Sequence, residues 1–469
     1  MESNRLAVRG RPIGWLSLVL LASVTACSSD SGGSKSNGLG GNPGGGGSNI
    51  GMSTAGAGGQ TTILPSGDGG NTSNSPTGTS VASTSKGGSS NAATGGTSAL
   101  PTGGTTATAG TTSTVSTGTM RNLSSAQLVK EMRLGWNLGN TLDSTSDTAS
   151  IIPDETYWGN PKTTPAMLNA VKAAGFNTVR VPTTWQRHMG NAPNYTVDAA
   201  WMARVEEVVS YVLSTGMYAI VNSHHDEWVD LSPTANQTAV ASQLSALWTQ
   251  IASRLKNYDD HLVFEVLNEP RLRGVPEEWT GGTPAARKTL NAYNLAAVNA
   301  IRATGGNNAS RHIMVPTHGA NASDTCINEL SIPNNDAKVI VSLHTYYPWN
   351  FSAASGATTF GTPTEIAAMK TELVRIANLL PKKGRAVVIG EWGSVNQNNT
   401  SARVTHARAY SEAVIARGMA ALWWDNGAAA AGTDGFGLLN RKVNPISWFY
   451  PEIVQALTDG ATAGASAAP

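Results

Sequence analysis

Cysteine is nearly missing from this chain of 469 residues: only Cys27 and Cys326 occur. At most one disulfide can form, so crosslinks do not hold the fold together, and Cys326 is expected as a buried, inert thiol. An excess of charge is missing too, the formal net charge being +1. That leaves no basic field for nucleic acid and no acidic field for a cationic partner; a neutral ligand fits best. From Ser28 to about Thr119 no aromatic residue occurs, and the only charges are Asp30, Lys35, Asp68 and Lys86. Such a Gly-, Ser- and Thr-rich segment cannot bury enough apolar surface to offset the entropy of ordering, so a disordered linker is expected over 27–119. The apolar stretch from Ile13 to Val24 is too short for a stable membrane span.

That stretch follows Arg5, Arg9 and Arg11, and a basic segment before a short apolar run reads as a signal peptide over 1–26. Val24-Thr25-Ala26-Cys27 resembles the lipobox of bacterial lipoproteins. The resemblance implies a diacylated Cys27 as the mature first residue, and Ser28 after it favours the outer membrane. Ordinary cleavage after Ala26 also satisfies the small-residue rule. The expectation is therefore an exported protein, lipid-anchored to the outer membrane or cell surface, or secreted, with no other contact to membrane.

What is abundant begins after Met120. The remaining chain, 120–469, repeats one unit: an amphipathic run, a Gly stop, then four to six apolar or β-branched residues. Pro165 opens a helix with Leu168, Val171 and Ala174 on one face, stopped by Gly175 before a strand at Thr178. Trp201, Val205, Val208 and Val212 mark the next, stopped by Gly216 before Tyr218. Eight candidate strands result, starting near Arg133, Thr178, Tyr218, Leu262, His312, Val339, Ala386 and Ala420. Near-continuous apolar strands alternating with helices indicate a parallel sheet buried on both faces, and eight such units close a (β/α)8 barrel. An open doubly wound sheet is the rival, but Asn137-Leu138-Gly139-Asn140 is no dinucleotide fingerprint.

Functional residues of such a barrel sit at the carboxyl ends of strands. Those ends carry Asn140, Arg180, His224, Asn268, Glu269, His344, Tyr346, Glu391 and Trp424. Glu269 and Glu391, on strands four and seven, suit acetal cleavage: one carboxyl protonates the leaving oxygen, while the other attacks the anomeric carbon or activates water. Asn268 can donate to a sugar 2-hydroxyl. Arg180 and Tyr346 can donate to Glu391, which should keep it ionised and low in pKa, while Glu269 stays protonated. His224-His225-Asp226-Glu227 lacks metal spacing, and strand alternation should turn its members apart, so no metal and no cofactor are expected. Thirteen tryptophans against six phenylalanines add stacking faces. Trp201 and Trp248 sit on helical apolar faces; Trp136, Trp185, Trp228, Trp349, Trp392 and Trp424 lie near strand ends, and about half of these are expected to touch ligand. Their spread, with Trp279 as one wall, suggests an open cleft.

Seven segments in order carry a family resemblance: GWNLGNTLD from Gly135, GFNTVRVPTTW from Gly175, HHDE at His224, LVFEVLNEP from Leu262, SLHTYYP from Ser342, VVIGEWG from Val387 and LWWDNG from Leu422. Over roughly Leu123 to Leu457 the chain resembles glycoside hydrolase family 5, most closely its subfamily 4 of endoglucanases and xyloglucanases. The resemblance implies a retaining, endo-acting enzyme on β-1,4-glucan (cellulose, mixed-linkage glucan or xyloglucan), with Glu269 as acid/base and Glu391 as nucleophile. It also implies Arg180, His224, Asn268, His344 and Tyr346 around the sugar; His225 and Asn140 are expected beside them, and the enzyme is expected to be a monomer. Trp424 matches the aromatic beneath the reacting ring better than Trp423, and a non-proline cis peptide is implied just after it. β-Mannan on the same chemistry, or a non-catalytic polysaccharide-binding barrel, are the alternatives.

Overall fold

The computed structural model describes residues 118–353 and 356–467. The expected signal peptide, Cys27 and all but the last residues of the expected linker lie outside them. Eight parallel strands close a barrel in chain order: β1 Leu134–Asn137, β2 Thr178–Val181, β3 Tyr218–Asn222, β4 Leu262–Glu265, β5 Ile313–Asn321, β6 Val339–His344, β7 Val387–Trp392 and β8 Ala420–Trp423. All eight lie where the apolar runs put them, and β8 pairs with β1 through Gly135 opposite Leu422. The helices are α1 Ser125–Met132, α2 Pro165–Ala173, α3 Ala199–Ser214, α4 Gln237–Leu255, α5 Pro284–Ala303, α6 Asp324–Asn328, α7 Trp349–Ser352, α8 Pro363–Leu379, α9 Thr400–Ile415 and α10 Pro451–Ala467. Pro165, Pro284 and Pro363 open three of them, where a missing N–H costs nothing. Between β5 and β6 the expected amphipathic helix shrinks to the five residues of α6.

Strand alternation divides the barrel into two cores. Val179, Val181, Val221, Phe264, Val341 and Leu343 face outward and pack with the helices in the main apolar cluster. Their neighbours face the lumen. Low in the lumen, Ile220, Val263, Met314, Ile340, Val388 and Leu422 form a separate apolar cluster. Leu128, Val129 and Met132 of α1 close it from below, with Ser124 capping that helix. Two residues further along the strands, on the same face, the lumen turns polar: Asn222 above Ile220, Glu265 above Val263, Ser342 above Ile340. An apolar plug below and a polar layer above confine chemistry to one end.

Candidate active site

Arg180 is the hub of that polar layer. It is fully buried, and its fork is wholly committed. Nε donates to Glu265 Oε2 at 2.6 Å, Nη1 to Glu391 Oε1 at 2.7 Å and to Asn137 Oδ1 at 3.0 Å, and Nη2 to Asn268 Oδ1 at 2.7 Å. Only a planar guanidinium can span these partners at once. Glu265 in turn accepts from Asn222 Nδ2 at 2.9 Å and Ser342 Oγ at 2.6 Å. Because its Oδ1 is held by Arg180, Asn268 keeps its Nδ2 as an available donor.

Glu269 and Glu391 meet across this layer. One oxygen of each, with one nitrogen of His344, lie within 4.8 Å of one another. Tyr346 donates to Glu391 Oε2 at 3.0 Å, and burial raises its phenol well above its ordinary pKa, so it stays a donor. His344 Nδ1 lies 2.7 Å from Glu269 Oε1 and 3.7 Å from Glu391 Oε2. Its other nitrogen is pressed against Gly390, where a Cβ would stand 3.0 Å from Nε2; that close approach explains a glycine beside the carboxylate.

The protonation expected from sequence is reversed in this geometry. Burial, opposed by His344 and Arg180 and reinforced by charge on Glu269, leaves Glu391 above its ordinary pKa rather than below it. Burial is the largest influence on Glu269 as well, but the His344 hydrogen bond together with the charges of His344, Arg271 and His225 outweighs it and holds Glu269 below. Arg180 protects Glu391 less than expected because Glu265 shares its charge. Burial opposes charge on His344, yet Glu391 and the Glu269 contact outweigh burial and raise its pKa. The short His344–Glu269 contact therefore holds one proton, on nitrogen or on oxygen.

Around the pair, His224 and His225 form a neutral wall, both lowered chiefly by burial, His225 to about 4. Asn222 Nδ2 lies 3.1 Å from His224 Nδ1, which leaves Nε2 as the His224 donor. Uncharged imidazoles suit hydroxyl groups better than anions. Contrary to the alternation argument, both histidines lie beyond the end of β3 and, with Asp143, bring ligand-type atoms within 4.8 Å of one another. Asp143 is already occupied by the backbone N–H groups of Asn140 and Thr141, at 3.0 and 2.6 Å. Asn140 itself takes a left-handed φ of 55° and shapes this loop, whereas Asn137, not singled out in the sequence, reaches the site.

Trp424 lies nearly parallel to His224, 5.9 Å between centroids, while Trp423 is fully buried with its Nε1 on Phe436 O. Trp424 is thus the aromatic that the cleft can use. A Cβ at Gly139 would meet its ring at 2.8 Å, which requires glycine there. The cis peptides among the described residues all precede proline, so the one implied after Trp424 is not found. Trp136, Trp185 and Trp392 are fully buried and leave the set of sugar platforms, and Trp228 packs against the main core. Trp349 and Trp279 are exposed, at 53% and 41%, and Trp158, overlooked in the sequence, stands 5.6 Å from His225. The exposed rings adjoin residues of the site: Trp349 lies 6.4 Å from Tyr346, and Trp279 stacks 4.2 Å from the Arg271 guanidinium. Beside His344 opens a groove of about 480 Å³, lined also by Asn321, Ser323, Asp324, Thr345, Glu372 and Arg375.

Two facing carboxyls at the strand ends of a (β/α)8 barrel, among neutral donors and aromatic faces, define a barrel of the glycoside hydrolase class. Residues 142–430 match the family described as Cellulase (glycosyl hydrolase family 5). The chain belongs to that family. It is similar to the cellulase/esterase CelE of Acetivibrio thermocellus, 51% identical over 343 residues, covering 73% of this chain but only 41% of CelE. It is also similar to endoglucanase B of Clostridium cellulovorans, 49% identical over 350 residues, 73% of this chain and 77% of the relative. A solved GH5-4 broad specificity endoglucanase from Ruminococcus champanellensis, with bound cellotriose, superimposes with a TM-score of 0.70 at 45% identity, covering 72% and 99% of the two chains.

Proposed function

We propose that this chain is an endo-acting β-1,4-glucanase that cleaves by double displacement, with Glu391 as nucleophile and Glu269 as acid/base. The observation that carries this reading is the closeness of the two carboxyls, with oxygens within 4.8 Å. Direct attack calls for about 5–5.5 Å between carboxyl groups, whereas inversion leaves about 6.5–9.5 Å for a water. Glu391, held from both oxygens by Arg180 and Tyr346, is aimed and cannot rotate. Glu269, with His344 behind it, has one partner and a proton to give. In the first step Glu391 bonds to the anomeric carbon as the proton held at Glu269 passes to the departing oxygen. In the second, Glu269 takes a proton from water, which displaces Glu391 with a second inversion.

The cellotriose in the Ruminococcus relative supports a β-glucan ligand, and the broad specificity of that enzyme supports more than one β-glucan as substrate. Three exposed rings, Trp158 by His225, Trp349 by Tyr346 and Trp279 by Arg271, support several consecutive sugars in an open cleft. Two measurements on a soluble β-glucan test this. Viscosity is expected to fall quickly while few reducing ends appear, and the first product seen by NMR is expected to be the β-anomer. A first product in the α-form refutes the double displacement. Steady monosaccharide release at constant viscosity refutes the cleft, and a preference for mannan refutes the substrate.

The pH profile follows from the shared proton. The raised pKa of His344 means that the proton is held below that value and lost as pH rises through it. Activity should therefore be present below the raised His344 pKa and fall above it, with the acid limb set by protonation of Glu391. His344→Gln removes the nitrogen that retains the proton, so the basic limb of kcat/KM should move to lower pH. An unmoved limb would separate His344 from the acid.

We also infer that Cys27 carries lipid and holds the enzyme at the cell surface, as Val24-Thr25-Ala26-Cys27 suggests. Cys27→Ser is expected to release the protein from membranes at unchanged specific activity. Wild-type protein already soluble and free of acyl chains by mass spectrometry refutes the anchor.

A further inference from the structure

Behind the strand ends that carry Glu391 and Trp424 lies a buried cation that the chemistry above does not use. Arg403, on α9, is fully buried. Its Nε donates to Ser394 O at 3.1 Å, but neither Nη1 nor Nη2 meets a carboxylate or a carbonyl; the side chain that reaches the guanidinium is the neutral Tyr450 hydroxyl. The other deeply buried arginines are provided for: Arg180 has Glu265 and Glu391, Arg441 has Asp425 at 3.0 Å, and Arg311 has a set of backbone carbonyls and Asn308. Among the described residues Arg403 is the one fully buried arginine whose terminal nitrogens meet neither a carboxylate nor a carbonyl.

The surroundings are short of acceptors in the same way. Arg403 Cζ lies 4.8 Å from the Tyr450 ring and 6.0 Å from the Trp423 ring. These faces and the Tyr450 hydroxyl, which also meets Ala429 O and Asn396 Nδ2, offset part of the charge but supply no negative charge of their own. Trp392 Nε1, which can only donate, is buried without a partner, and its ring lies 5.2 Å from that of Trp423. The hydroxyls of Ser394 and Ser352 are also buried and unpaired, and Val395 N bonds Ser352 O at 3.0 Å, so these two segments touch. The acceptor without a partner nearby is His406 Nδ1, on a ring that burial lowers to about 4; it is neutral and cannot balance a charge. Asp425 and Glu452 act on Arg403 only through space.

We propose that Arg403 binds a small monovalent anion, chloride in the cell's medium, held by its two Nη groups with the Ser394 hydroxyl beside it. Water can satisfy the donors but leaves a buried positive charge uncompensated, which is costly. A halide ion does both, and it needs no acceptor of its own. A divalent oxyanion is the wrong guest, because the site offers one cation and walls of tryptophan and tyrosine. The anion fastens α9 to the segment just beyond Glu391 and to Trp423, so it acts on the stability of the wall behind the cleft.

The test uses the purified full chain, dialysed into sodium gluconate and titrated with sodium chloride at constant ionic strength. The expected result is a saturable rise in Tm, roughly 5 °C at a hundredfold above half-saturation. Crystals grown in sodium bromide should show an anomalous peak at Arg403. Arg403→Met is expected to have a lower Tm that no longer responds to chloride; should it fail to fold, the wild-type titration and the bromide peak decide alone. Equal Tm in the two salts, or bromide found elsewhere and not at Arg403, overturns the proposal in favour of internal water.

Discussion

Glu391→Gly is expected to lose at least about 10⁴-fold in kcat, some 5.5 kcal/mol of barrier, and to regain turnover when azide is added. The substitution opens a hole the size of a carboxyethyl arm between Arg180 Nη1 and the Tyr346 hydroxyl, the two donors that held Glu391. A small anion finds the same cation and the same phenol there, and it can attack the anomeric carbon from the side that Glu391 occupied. The product should be a glycosyl azide of inverted configuration, since only one displacement then takes place. The fold should survive, because Arg180 keeps Glu265, Asn137 and Asn268 as partners and no buried charge is orphaned. A glycine within a strand costs about 1 kcal/mol. Product stereochemistry from NMR checks the assignment. An inverted glycosyl azide from Glu269→Gly, with a retained azide or none from Glu391→Gly, means that the two roles are exchanged.

Most of the barrel was legible in the sequence because each strand is an apolar run, four of them just after Gly175, Gly216, Gly384 or Gly418, and the closed sheet buries all eight. The β5–β6 crossover was not, since α6 is a five-residue helix capped by Ser323 and too short to show a period. The site residues were read from strand ends, which gives the height of a residue but not its side. Two misplaced tryptophans show the cost. Trp136 adjoins Asn137, and Trp392 adjoins Glu391. Where one neighbour of such a pair enters the lumen, the other must face the helices. Alternation applied to the motifs already identified would have sent these rings into the core.

The same rule would have found what was overlooked. Glu265 stands between Phe264 and Val266, both in the outer core, so it must point inward, as must Asn137 beside Trp136. A glutamate inside an apolar run looks like an exception when the strand is read as uniformly buried. In a barrel whose lower lumen is apolar and whose upper lumen is polar, it marks the height at which the polar layer begins. Trp158 was missed for a different reason: it lies on the long connection after β1, where no periodic signal exists to aim a side chain.

Because Glu265 and Glu391 share one cation, Arg180→Met is expected to destabilise the fold by about 3–5 kcal/mol, a drop in Tm on the order of 10 °C. Methionine fills much of the volume, so the cost arises from two buried carboxylates left facing each other, not from a cavity. Asn268 and Asn137 lose their donor as well. Protonation relieves such carboxylates, and without Arg180 their folded-state pKa values must lie above those of the unfolded chain. The folded variant then binds more protons than the unfolded one, so its stability should rise as pH falls from 7 towards 5. The gap to the wild type narrows over that range. Arg180→Lys separates charge from geometry: one ammonium can compensate part of the charge, but it cannot reach Glu265, Glu391 and Asn268 together. Lysine should therefore recover part of the Tm and little of the activity, with kcat falling more than KM rises. Thermal unfolding at two pH values, together with steady-state kinetics on a soluble β-glucan, measures both effects. A methionine variant within 1 kcal/mol of wild type, or a lysine variant of full activity, would remove Arg180 from the centre of the site.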